Sequence, residues 1–375
     1  MTPPVPILAA YRDWANLPEL PLEEVLRGLL PCVRSLYAFA GTCRPWRRLL
    51  RSSAADLIRP RVPPLLLLLC PDFRLVPFSP LVAPQPISYP LPAPAEGATL
   101  LSASRGHLIL LRRGSFNSLH LVDALTGAER RALQLPSPHF PYQYAALTPS
   151  HLLLFHSMHA FFSLPFPEHP SPNNARPDWT KHALPRAASF VTAVLEFRGR
   201  VLGLTDRAQI LEFNLDAPAP NRTVRLLPTA GLPAATTFDR WEFGPHLVAA
   251  GDRLLLVLFM VEPNPSPLAL RAPRVNKIGV YALDFAHMMW EEVDNIGAYT
   301  LFVDIAGRST VACMDVGNCG VEENRVYVAV PSCPAWRRPL PPGWEAPLNG
   351  EGIGLNSRRR PPLPSPISVH PPLFF

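Results

Sequence analysis

Proline constrains this chain more than any other residue type. It occupies 49 of 375 positions, about 13% against a usual ~5%. Each proline fixes φ and removes a backbone donor, so long helices cannot fill most of the sequence. Short strands joined by turns suit it better. Hydrophobic residues make up 48%, enough to bury a sizeable core, and the length suits a small module followed by a large one.

Residues 14–50 read as three short helices. Leu20-Pro21 opens the first, where a missing N–H costs nothing, and Glu23 and Glu24 follow where they complement the helix dipole. Leu22, Val25, Leu26, Leu29 and Leu30 recur at i, i+3, i+4, i+7 and i+8 as one apolar stripe. Pro31 ends that helix. Val33, Leu36, Tyr37 and Ala40 form a second stripe that stops at Gly41, and a third helix begins at Pro45 with Trp46, Leu49 and Leu50. Helices this short bury too little surface to be robust alone. The unit therefore either offers an apolar face to a partner or caps the domain behind it, and the pattern leaves both open.

From about residue 65 the period changes to short runs bounded by Gly, Pro, Asp and Asn, the mark of many strands. Strands are expected at 107–111, 119–123, 151–155, 200–205, 209–214, 253–259, 278–283 and 325–330. A weak repeat joins SRGHLILLRRGSFNSLHLVD, FRGRVLGLTDRAQILEFNLD and the stretch from AGDRLLLVLF to KIGVYALD. Its turn residues are Gly106, Ser150, Gly199, Gly251 and Gly307, at spacings of 44, 49, 52 and 56. Such a period matches the ~40–50 residues of a propeller blade and predicts roughly six units in 65–335. A β-sandwich or two separate β-domains also fit the strand density.

The net charge is +6 with a pI near 9.2. The densest basic stretch is Arg44, Arg47, Arg48, Arg51, Arg59 and Arg61, opposed by Asp56. Without interleaved aromatics it reads as a solvated helix face and argues against a nucleic-acid partner. Cys32, Cys43, Cys70, Cys313, Cys319 and Cys333 form no C-x-x-C pair, so reduced thiols and no metal are expected. The longest apolar run, Leu65 to Cys70, falls far short of the ~20 residues that cross a bilayer. No secretory signal is visible. The expectation is a protein of the nucleus, the cytoplasm or both, with no membrane partner.

No catalytic signature stands out, and neither enzymatic activity nor a cofactor is expected. Gly350, Gly352 and Gly354 resemble a phosphate loop but follow no strand and open no helix. His151 and His156 point to opposite faces of an expected strand, and His159 follows close behind. Glu291-Glu292 and Glu322-Glu323 are adjacent carboxylates that point apart. Trp179, Trp241, Trp290, Trp336 and Trp344 read as packing between blades in preference to binding anchors. The segment SRRRPPLPSPISVHPP has the composition of an irregular tail, or of an import or Pro-motif ligand.

The run WANLPELPLEEVLRGLLP, followed by VRSLYAFAGTCRPWRRLL, resembles an F-box. Its marks are Leu17-Pro18 before the first helix, an acidic-aliphatic helix, and Cys43-x-x-Trp46-Arg47 entering the third. The resemblance implies docking on a Skp-type adaptor and, through it, a cullin-based (SCF-type) ubiquitin ligase. By matching position, Leu17, Pro18, Leu20, Pro21, Val25, Leu26 and Leu29 would supply adaptor contacts, with Cys43 and Trp46 fixing the third helix. Gly28 departs from a strong helix and should cost about 1 kcal/mol relative to Ala.

The stretch 97–330 resembles the KIB-type, kelch-like domain of a large plant family of F-box proteins. It does so through Gly106 to Leu135-Pro136, LEFRGRVLGLTDRAQILEFNLD, IGVYALDFAHMMWEEVDNIGAYTLFVD and ENRVYV. The family often has Asn-Pro before Leu-Thr-Gly, whereas this chain has Asp123-Ala124, and the Pro-rich insertions at 164–177 and 262–273 are unusual.

The expected architecture is therefore multidomain, α plus all-β. A three-helix F-box at 12–55 precedes a KIB-type β-propeller at 65–335 and a Pro/Arg-rich irregular tail at 336–375. The resemblance implies a substrate-recognition subunit of an SCF-type E3 ligase that holds an unknown protein target. The alternatives are an interaction scaffold without a ligase role, and a propeller hydrolase or carbohydrate binder.

Overall fold

The computed structural model describes residues 17–30, 33–53, 58, 61–69, 72–76, 87–90, 98–113, 117–124, 127–157, 159–166, 178–215, 223–234, 243–261, 275–305, 309–317, 320–329, 340, 342–343 and 366–369. The chain forms two compact units, Met1–Val62 with Leu373–Phe375, and Pro63–Pro372.

The first unit holds α1 (Glu19–Leu29), α2 (Val33–Thr42) and α3 (Arg44–Ser52). Pro18, locked near helical φ at −55°, precedes α1. Leu30 ends it by turning extended ahead of Pro31, as a residue before proline must. Leu22 and Leu26 from α1 meet Leu36, Phe39 and Ala40 from α2, Leu49 and Leu50 from α3, and Ile58 and Val62. Trp46 packs on Phe39 with ring centroids 4.6 Å apart, and Arg47 Nε donates to Ala40 O at 3.0 Å. The expected apolar stripe needs one correction. Val25 lies outside this core and is 43% exposed, because α2 and α3 cover the side of α1 that carries Leu22 and Leu26.

The second unit is built of sheets. The first contains β1 (Leu65–Leu69), β2 (Asp72–Val76) and β3 (Ile87–Pro90). The second contains β4 (Thr99–Ser104), β5 (His107–Arg112), β6 (Ser118–Asp123) and β7 (Glu129–Gln134). The third contains β8 (Tyr144–Leu147), β9 (His151–Phe155), β10 (Ala160–Pro165) and β11 (Thr180–Ala183). The fourth contains β12 (Val191–Phe197), β13 (Arg200–Thr205), β14 (Ile210–Phe213) and β15 (Val224–Leu226). The fifth contains β16 (His246–Ala250), β17 (Arg253–Val261), β18 (Val275–Asp284) and β19 (Met289–Glu292). The last contains β20 (Tyr299–Asp304), β21 (Ser309–Met314) and β22 (Arg325–Ala329).

The second to fifth sheets are four-stranded antiparallel meanders. Each places its first strand against the first strand of the next: β4 on β8, β8 on β12, and β12 on β16. This is a β-propeller, and its core lies between successive blades. Leu121 and Leu154 belong to one such layer, Phe161 and Phe213 to the next, and Leu204 with Leu256 to a third. In the last sheet β20 pairs with β21 antiparallel and with β22 parallel.

The four described repeat residues fall where a blade needs its first turn: Gly106 between β4 and β5, Ser150 between β8 and β9, Gly199 between β12 and β13, and Gly251 between β16 and β17. Gly307 lies outside the described residues. Arg105 and Gly106 both have positive φ (47° and 75°), as do Arg198 and Gly199 (51° and 72°). Two-residue turns of the type that matches strand twist demand this. Ala124, standing where the resembled family has proline, donates its N–H to Gly106 O at 3.0 Å, a bond proline could not make.

The expectation of an irregular tail over 336–375 is corrected at five residues. Leu340 bridges Val326, and Pro366–Val369 forms β23, antiparallel to β1. The first sheet thus gains a fourth strand from the far end of the chain. The β-branched Ile367 and Val369 suit that strand, and Pro366 is tolerated because it opens an edge.

Candidate partner-binding surfaces

Successive residues of α1 turn about 100° around its axis. Leu22, Leu26 and Leu29 consequently share one side, Pro21, Val25 and Gly28 lie together beside them, and Leu20 stands about 140° round the axis from Val25. The first side is core. Beside it Pro21, Val25 and Gly28 make a solvent-facing strip on which Val25 is 43% exposed, and Leu20, on a different side of the helix, is 76% exposed. Of the three large hydrophobic side chains exposed among the described residues, these are two, and Met289 is the third. At Gly28 an added Cβ would meet nothing within 4 Å, so the strip is open there. Arg27 pairs with Glu24 at 2.9 Å and Glu23 at 3.3 Å beside it.

The expected adaptor contacts thus divide by burial. Pro18, Leu20, Pro21 and Val25 are exposed, Leu17, Leu29, Cys43 and Trp46 are half-buried, and Leu26 is fully enclosed. Of the basic run, Arg44 and Arg48 are exposed and Arg47 is turned onto Ala40. The placements of Asp56 and Arg59 lie outside the described residues.

On the propeller, a cavity of about 560 Å³ opens at the β8–β9 and β12–β13 turns, lined by Ser150, Glu196, Gly199, Arg200, Glu212 and Arg225 among others. Glu212 accepts from Arg200 Nε at 2.5 Å, and from Arg225 Nε at 3.2 Å and Nη2 at 2.7 Å. The hydrogen bond from Arg200 is the main reason its carboxyl is held below the usual range, against a smaller opposing effect of burial. Arg200 also lies over the Phe285 ring, 5.6 Å from its centroid. The sequence reading missed this constellation. Its one visible signal was Glu212, a carboxylate in an otherwise apolar strand.

The other singled-out residues do not converge. His151 opens β9 and lies 2.8 Å from Ser150 Oγ, whereas His156 stacks on Phe140 at 4.5 Å and His159 is exposed. Glu292 pairs with Lys277 at 2.7 Å and Glu322 with Arg325 at 3.1 Å. Trp290 is 3% exposed in an interblade layer, and Trp179 Nε1 donates to Gln134 O. Trp241, Trp336, Trp344, Gly350, Gly352 and Gly354 lie outside the described residues. Among the described residues no group of three or more His, Cys, Asp or Glu could hold a metal ion. No described helix is long and apolar enough to cross a membrane.

A family model described as the KIB1-4 beta-propeller matches residues 78–352. No curated protein matches the chain significantly. Among solved structures, a protein of unknown function from Bacteroides caccae aligns at 13% identity over 63% of this chain and 76% of its own, with TM-score 0.35. Hsv2 of Kluyveromyces lactis aligns at 11% over 56% and 64%, with TM-score 0.29. Glutaminyl cyclase of Myxococcus xanthus aligns at 9% over 73% and 90%, with TM-score 0.32. Similarity this slight carries no argument about what the chain does.

Proposed function

Because the chain belongs to the KIB1-4 beta-propeller family, a fold suited to protein interaction, we propose that it is the substrate-recognition subunit of an SCF-type E3 ubiquitin ligase. The three-helix module is an F-box that docks on a Skp-type adaptor and, through it, a cullin. The propeller holds the target. One observation carries the docking half of this reading: beyond Leu22 and Leu26 in the module's core, α1 holds two large aliphatic side chains, Leu20 and Val25, in solvent. The module's own core has no use for these two side chains, and a partner that covers them would bury them. Large exposed aliphatic side chains with a charged rim are the composition of a small interface whose affinity rests on few residues.

The subunit would act without bond chemistry of its own. Holding a target lysine beside a charged conjugating enzyme raises the effective concentration of the reacting pair. Work on its targets belongs in the nucleus or cytoplasm, where that machinery operates.

Mixing the full chain with a plant Skp-type adaptor and a cullin, followed by size-exclusion chromatography, tests the assembly. One peak containing all three is expected. Separate elution of a folded chain would overturn the proposal.

A further inference from the structure

We propose that the cleft at the β8–β9 and β12–β13 turns is a docking site for an acidic segment of a partner protein, read through Arg200 and Arg225. The inference deepens the reading of the propeller as the target-holding part and rests on it.

Two guanidiniums converge on Glu212 here, and because Glu196 also lines the cavity its own charges balance, so any positive surplus comes from the neighbouring turns. Glu212 fixes both of them: Arg200 bonds Oε1 and Arg225 bonds Oε2 through two nitrogens. Arg200 is further held against Phe285, whose ring stacks on Phe197 at 5.6 Å with an interplanar angle of 10°. Each guanidinium carries five N–H donors. Among the described residues the guanidiniums of Arg200 and Arg225 make hydrogen bonds to Glu212 alone, so donors remain on both, and Arg225 keeps 68% of its side-chain surface in solvent. These are cations positioned in advance, with capacity left over.

The neighbouring turns supply the surplus. Arg198, exposed beside Gly199, donates to Asp252 O at 2.8 Å, a backbone carbonyl with no full charge, and lies over the Phe197 ring at 5.3 Å. Arg105 meets Glu196 at 3.7 Å with both side chains largely exposed, a pairing too wet to neutralise either group fully. The set Arg105, Arg198, Arg200 and Arg225 thus faces two carboxylates, Glu196 and Glu212. Bidentate donors in fixed planes are the recognition chemistry for a carboxylate. Those same two carboxylates would oppose a doubly charged phosphate more than a single Asp or Glu side chain. Nucleic acid would call for exposed stacking aromatics, whereas of the rings beside these arginines Phe197 and Phe213 are buried and Phe285 is half-buried and covered by Arg200.

The test uses the full chain and a fluorescein-labelled decaglutamate peptide, read by fluorescence anisotropy at low and physiological salt. Decalysine and a single-stranded decauridylate serve as comparison probes. Binding of decaglutamate is expected, weakened by salt, with about tenfold loss in Arg225→Gln, the worth of one charge-assisted hydrogen bond or slightly more. Arg225→Lys should recover part of it. Arg112→Gln removes the same charge at the opposite end of β5 and should leave binding unchanged. No binding by folded wild type, equal loss in Arg112→Gln, or tighter binding of decauridylate through the same arginines would each overturn the proposal. Adaptor binding by Arg225→Gln, measured in parallel, reports on the ligase reading separately and is expected to match wild type.

Discussion

Val25 and Leu26 are neighbours on α1 whose side chains diverge by about 100°, one 43% exposed and the other 0%. The pair separates what holds the module together from what it offers outward, and the two should respond differently to truncation. Leu26→Ala leaves a cavity among Leu36, Phe39 and Leu50 and should cost about 2–5 kcal/mol. Leu20→Ala and Val25→Ala should stay within about 0.5 kcal/mol of wild type. Urea denaturation followed by the helical signal checks both.

Gly251 is fixed twice over. Its φ of 61° is one that side chains rarely adopt, and an added Cβ would run into the hydroxyl of Tyr299 on β20. Gly199 has φ 72° but nothing within 4 Å of that position. Gly199→Ala should therefore cost only the backbone strain, about 1 kcal/mol, and Gly251→Ala more, about 2–3 kcal/mol. Tyr299→Phe, by removing the nearest atom, should recover part of the second loss and none of the first. Thermal denaturation of the five proteins gives the comparison.

Truncation after Ser365 removes β23 and bares the edge of β1, a run of five leucines. An unpaired apolar edge is a template for another chain. The shortened protein should melt lower than the full chain and form higher oligomers in light scattering, whereas a β23 without structural weight would change neither.

Acid should weaken the propeller in two stages. Burial is the main cause that lowers the pKa of His156 and of His182. The unfolded chain therefore takes up protons first as pH falls below the usual 6.5, and stability declines from there. Glu212 is depressed chiefly by the Arg200 hydrogen bond, so its contribution is present above the ordinary carboxylate range and is lost at lower pH, as it falls through the folded value. A His156→Gln/His182→Gln variant should show a flatter stability profile between pH 7 and 5 in chemical denaturation, with the more acidic decline retained.

The turns and the longest strands were legible in the sequence because local chemistry demands them. Only certain residues tolerate positive φ at Gly106, Gly199 and Gly251, and runs such as 253–259 have few other uses. β23 was not legible, since four residues in a Pro-rich tail carry no period and their partner, β1, lies about 300 residues earlier in the chain. Nor was the parallel pairing of β22 with β20, which depends on the path of the chain between them. Periodicity placed Val25 with the core because it counts apolar positions without knowing which side α2 and α3 cover. The cleft escaped for a related reason: Glu212 and Arg225 are direct partners across β14 and β15, and a register cannot be read from one strand.

The central claim is that the solvent-facing apolar side chains of α1 dock on an adaptor, and calorimetric titration of a Skp-type adaptor into the full chain tests it most directly. The account predicts binding by wild type, loss of at least about tenfold in a Leu20→Asp/Val25→Asp variant that still folds, and no change in Arg225→Gln. Absence of binding by folded wild type, or binding indifferent to the two aspartates, would contradict it.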